Sequence, residues 1–169
     1  RVSDTGLLAT LGGTLADGRF LDDTTNHLPV VVLGSVAAER LGLADLDGSA
    51  SVWLGGHWFG VIGILDPIEL APSLDRSVLI GEDAATDLFA YDGIPDSLYV
   101  RAAPEHIDSV IAVLPATADP ENPDQVEVSR PTDALEARAA AEGAFTALFL
   151  GLGLVALVVG GVGVHREPV

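Results

Sequence analysis

Four histidines, His27, His57, His106 and His165, are the only imidazoles available for metal binding or proton transfer. No two of them stand at a ligand spacing, and none begins an H-E-x-x-H pattern. His57 directly follows Gly55-Gly56, and His106 falls at the exposed start of an expected helix, so each reads as an isolated side chain. Carboxylates are plentiful: the chain has 25 Asp and Glu. The clusters Asp22–Asp23 and Asp45/Asp47 lie in expected loops without the alternation of an EF-hand, and loop acids of this kind are ordinarily solvated. Ser35, in Leu33-Gly34-Ser35-Val36-Ala37, lacks the second glycine of a nucleophile elbow. Gly160-Gly161-Val162-Gly163 lacks the lysine of a phosphate loop and sits in an apolar run. Cysteine is absent, which removes disulfides and thiolate sites. The expectation is a chain with no catalytic residue, no cofactor and no metal.

The stretch that frames everything else is Ala144–Val164, AFTALFLGLGLVALVVGGVGV, 21 residues without a charged side chain. As a helix it reaches roughly 31 Å, about one hydrocarbon core, and a soluble helix of that length normally keeps a polar face. A transmembrane helix over 144–164 is therefore expected. Ala147/Gly151 and Ala156/Gly160 are small-xxx-small pairs that would let a neighbouring membrane helix approach closely. Residues 165–169 form a short tail, and its Arg166 agrees with a cytoplasmic position. The net charge of −17 lies entirely before the span, and lysine is absent throughout. So acidic a surface repels nucleic acid and anionic lipid, which excludes a polyanion binder. Arginine without lysine, with abundant Ala, Asp and Gly, fits a halophilic or GC-rich source. The first residues, RVSDTGLLATLGG, have no apolar core of a signal peptide, and no methionine occurs anywhere, so a piece of a longer polypeptide is expected.

Local patterns then predict the elements. Pro29–Leu33 reads as a strand, Ser35–Leu41 as a short helix with Ser35 as N-cap, and Asp45–Ser49 as a loop. Ser51–Leu54 and His57–Leu65 flank Gly55-Gly56, a hairpin signal that places Trp53 and Trp58 on its faces. Asp66–Ser73 reads as loop, Arg76–Ile80 as strand and Glu82–Phe89 as helix. Ser97–Arg101, an amphipathic helix over Pro104–Leu114 and Val126–Ser129 together predict a βαβ unit. Thr132 or Asp133, with Glu136, opens a capping box for a stalk helix over 132–143 that runs into the span. Gly6–Phe20 shows little periodicity, and no internal repeat is evident.

The order of several stretches resembles the ABC transporter permeases of the MacB/FtsX type. These are Asp17-Gly18-Arg19-Phe20, Val30-Val31-Val32-Leu33-Gly34, Ala37-Ala38-Glu39-Arg40-Leu41-Gly42, Phe59-Gly60-Val61-Ile62-Gly63-Ile64-Leu65, Leu98-Tyr99-Val100-Arg101 and Val158-Val159-Gly160-Gly161-Val162-Gly163-Val164. The resemblance is to the MacB-like periplasmic core domain and the membrane helix after it. It departs where His165 stands in place of the family's usual Asn. It implies an α+β extracytoplasmic domain over 1–131 with two lobes, a mostly β inserted lobe over about 26–94 and a βαβ porter-like lobe over about 97–130. It also implies a cytoplasmic ABC ATPase subunit as partner, a second permease copy and a membrane location. The role would be mechanotransmission, non-catalytic in itself, in export, efflux or lipoprotein release. An alternative from another class is a surface-displayed protein retained by a C-terminal hydrophobic anchor.

Overall fold

The computed structural model describes residues 1–43, 45–46, 50–130 and 149. In chain order the elements are β1 (Val2–Ser3), α1 (Leu7–Leu11), β2 (Leu15–Gly18), β3 (Val30–Leu33), α2 (Ser35–Leu41), β4 (Ser51–Leu54), β5 (His57–Leu65), α3 (Pro72–Asp75), β6 (Val78–Gly81), α4 (Glu82–Phe89) and α5 (Ile107–Ala118). Two 3-10 turns, Pro104–His106 and Pro123–Gln125, bracket α5.

The fold is α+β around one mixed sheet, in the order β1-β6-β3-β5-β2, with β4 also on β5. The nine-residue β5 is its spine, because aromatic and β-branched side chains on both faces suit a strand flanked on both edges. It runs parallel to β3 and antiparallel to β2 and β4. An irregularity in the β3–β5 register, Val31 opposite Val61 but Val32 opposite Gly63, inserts one extra residue and re-aims β5 between the faces. One face buries Val31, Leu33, Phe59, Val61, Ile64 and Ile80 under Ala38 of α2 and Ala85 of α4. The other buries Val32, Leu65 and Leu79 with Leu21, Ile68, Ala71 and Leu74. Alternation along VVVL thus feeds two cores, and the run is apolar throughout because β3 is covered on both sides.

Several expectations are corrected. Ser97–Arg101 and Val126–Ser129 form no strand, so the βαβ unit expected there is not made. Leu98 and Val100 are 60% and 54% exposed, and among the described residues no strand offers them an edge. The parallel crossover lies instead in β3–α2–β5. Ser35 is the first residue of α2 rather than its cap: Gly34 holds the cap position, and no side chain caps it. The helix expected to end at Leu114 continues through Pro115 to Ala118, and its Ile107, Val110, Ile111 and Leu114 face is only half-buried. Strand β6 starts at Val78, because the Ser77 amide turns back to the Leu74 carbonyl and closes α3, which begins in the expected loop and runs past its end at Ser73. The described strands β1 and β2 were not expected, and both belong to the same sheet as β3–β6.

The capping box at Thr132 or Asp133, the stalk over 132–143 and the tail over 165–169 lie outside the described residues, as does the span over 144–164 apart from Phe149. Among the described residues, no helix is long and apolar enough to cross a membrane.

Candidate functional site

The hairpin turn is built as the Gly-Gly pair predicts. Gly55 and Gly56 have φ of 57° and 94°, positive at both central positions, which matches the twist of the flanking strands. The register pairs Trp53 with Trp58 and Leu54 with His57. The two indoles, the chain's only tryptophans, meet edge to face at 5.1 Å on the outer side of the hairpin. Both remain largely in solvent, at 59% and 64% exposed, although such side chains usually bury most of their area. The inner side packs against the end of α4. Phe89, the last residue of α4, stacks on Phe59 at 6.0 Å and meets the His57 ring edge-on at 5.9 Å. A Cβ at Gly55 would run into that Phe89 ring.

The junctions beside the hairpin reveal a repeat that sequence reading missed. In β3–α2 and β6–α4 a strand ends in a glycine that opens a helix, giving Gly34-x-x-Ala37-Ala38-x-x-Leu41 and Gly81-x-x-Ala84-Ala85-x-x-Leu88. Both Ala pairs are buried, which lets the two helices lie close on one face. Both glycines are demanded by backbone proximity: a Cβ would collide with the Leu74 carbonyl at Gly34 and with the Asn26 carbonyl at Gly81. Asn26 also caps α4 from a distance. Its side-chain oxygen accepts from the Glu82 amide at 2.9 Å, and its carbonyl accepts from the Ala84 amide at 3.1 Å. The signal that would have found this is the identical offset of the Ala pairs from the two glycines.

Around Asn26, the loop is held by Asp22. One carboxylate oxygen accepts from the amides and hydroxyls of both Thr24 and Thr25, at 2.6–3.0 Å. Those hydroxyls, ahead of the amides, lower its pKa to about 2. The arrangement is a structural turn. A concavity of about 610 Å³ lies between β1, α1 and the connector Tyr91–Tyr99. Burial raises the Tyr91 phenol there, helped by the carboxylates of Glu82, Asp92 and Asp96. The connector is tied down where Arg101 Nε donates to the Thr10 carbonyl at 2.7 Å, so Leu98-Tyr99-Val100-Arg101 docks on α1 rather than pairing as a strand.

The sequence-predicted packing residues Ala147, Gly151, Ala156 and Gly160 lie outside the described residues. His27, His57 and His106 are exposed and far from forming a cluster; among the described residues no three His, Asp or Glu side chains are grouped to hold a metal. Asp22–Asp23 stays a solvated turn. Ser35 is not presented as a nucleophile: its Oγ is buried and has no hydrogen-bond partner among the described residues.

No protein-family model matches the chain, and no curated protein does. Among solved structures, it is similar to the periplasmic region of MacB from Actinobacillus actinomycetemcomitans, at 18% identity and a TM-score of 0.44. The match covers 68% of this chain and 54% of that one, so the chain spans about half the length of that solved region.

Proposed function

We propose that this chain is the extracytoplasmic domain and second membrane helix of an ABC transporter permease of the MacB/FtsX type. In this reading it catalyses nothing. A partner ATPase hydrolyses ATP in the cytoplasm, and the stalk and span carry the resulting motion to the acidic domain, working with a second copy. The observation that carries the reading is the 21-residue uncharged run that lies C-terminal to a folded, strongly acidic α+β domain. The quoted motifs support it further. Three of them, around Asp17–Phe20, Val30–Gly34 and Phe59–Leu65, meet as β2, β3 and β5 of one sheet, and a fourth, Ala37–Gly42, lies on α2 packed against it. The division into a lobe over 26–94 and another over 97–130 belongs to the same proposal.

Topology tests it, and the absence of cysteine makes single-cysteine labelling clean. In intact cells, Glu121→Cys should react with a membrane-impermeant maleimide, and Pro168→Cys only after permeabilisation. An ABC ATPase should co-purify with the chain from membranes. Labelling of both positions from outside, with no ATPase recovered, would favour the anchored surface protein.

A further inference from the structure

Strand β4 pairs with β5, and among the described residues no strand takes its other edge. Which of its backbone groups point outward follows from one bond. The Val61 amide donates to the Ala50 carbonyl at 2.9 Å, so the even positions of this strand face β5. The Gly60 amide, opposite Ser51, donates instead to the Pro29 carbonyl across β3. In an antiparallel ladder these directions alternate, so Ser51 and Trp53 direct their N–H and C=O groups to the open edge.

Exposed edges are usually guarded by charge, proline or a bulge. Strand β2, on the same side of β5, carries Asp17 and a register shift. Strand β4 carries none of these. From Ala50 through Leu65 the chain contains no Asp, Glu or Arg, a neutral window in a molecule of net charge −17. Beside the open edge stand the two exposed indoles.

We propose that β4 is a self-pairing edge, joining a second copy of this chain across a two-fold axis at Val52. In that register Ser51 of each copy faces Trp53 of the other. Each such pair exchanges two backbone hydrogen bonds, four in all, and the inner faces of both hairpins stay on the same side. A shift by one residue would put the core-facing Val52 and Leu54 on the outer face, so parity excludes it. The occupant is another copy because the edge is self-complementary at this register and because the seam holds no charge of either sign. Any attraction has to be apolar and backbone-mediated. The rest of the two molecules repel, so the pairing strengthens as salt screens them, opposite to a salt-bridged contact. A seam of four residues is small beside the ~1,200 Å² of a stable interface, so it is weak in dilute solution and is favoured when both copies share a membrane. The inference takes from the proposed function a second copy held in the same membrane.

The test uses the full chain in detergent micelles, with mass followed by sedimentation velocity. Dimer should form, and the association constant should rise about tenfold or more between ~0.1 and ~1 M NaCl. Trp53→Asp should abolish it. Ser51→Pro should do the same while sparing the β4–β5 ladder, since the amide it removes points outward. Val52→Cys should cross-link between copies on oxidation, because directly opposed residues come within disulfide reach, whereas Ser51→Cys should not. A monomer at every salt concentration, a dimer indifferent to both substitutions, or any other cross-linking pattern overturns the proposal. A monomer that still co-purifies with an ATPase would refute the edge alone and leave the permease reading standing.

Discussion

Asp22 shows how one side chain carries more structure than its exposure suggests. Its carboxylate gathers Thr24 and Thr25, and the loop they fix presents Asn26 to α4. The folded pKa of about 2 lies below the 3.8 of an unperturbed aspartate. The folded state therefore binds this proton less readily than the unfolded chain, and the stabilisation is complete above 3.8. It is lost as the pH falls through about 2. Asp22→Asn should flatten the acid limb of a Tm-against-pH curve between pH values of about 5 and 2 while leaving its shape near neutrality unchanged. Equal acid limbs in both proteins would show that the turn does not depend on the charge. Thr25 is the partner that sequence could not single out, since nothing local tells that one of two adjacent threonines is 2% exposed.

At the scale of elements, α2 and α4 close in the same way but with different residues. Gly42 takes the left-handed conformation at the end of α2, and Ala90 takes it at the end of α4, with φ of 54°. A Cβ in that region costs roughly 1–2 kcal/mol, part of which glycine gives back as chain entropy. Ala90→Gly should therefore stabilise the protein by about 1 kcal/mol, visible as a rise of roughly 2–4 °C in melting temperature. An unchanged or lower value would mean that Ala90 has packing worth more than the strain. These elements were legible because their signals are local: an apolar β-branched run broken by Gly34 before a short helix, and Gly-Gly between two β-branched runs, while the paired alanines went unread. Strands β1 and β2 were not. Two residues in one and Leu-Ala-Asp-Gly in the other have no strand pattern of their own, and they are strands only because β6 and β5 lend them an edge. The converse error at Ser97–Arg101 has the same origin: Leu98, Tyr99 and Val100 are strand-like residues that meet no ladder among the described residues. The candidate packing residues of the span were chosen by spacing alone.

For the whole molecule, charge is the dominant long-range term. With net charge −17 and no lysine, the folded domain holds carboxylates closer together than the unfolded chain does. Screening them should raise the melting temperature steadily from ~0.05 to ~1 M NaCl, where the Debye length shrinks to about 3 Å. A flat curve would mean that the acids are spaced widely enough not to interact, and would count against a halophilic origin. No periodicity within a segment could have announced the single sheet, since its order β1-β6-β3-β5-β2 joins strands far apart in the chain.

That order also sets the distances across the sheet. The described chain enters the sheet at β1, and the connector that leads onward lies in the concavity beside β1 and is fastened to α1 by Arg101. Both leads therefore hold the same margin of the sheet. Strand β4 lies at the opposite margin, four strand spacings away, roughly 19 Å. Among the described strands, a rotation of about 10° about β1 would displace the tryptophan hairpin most, by some 3 Å at Gly55-Gly56.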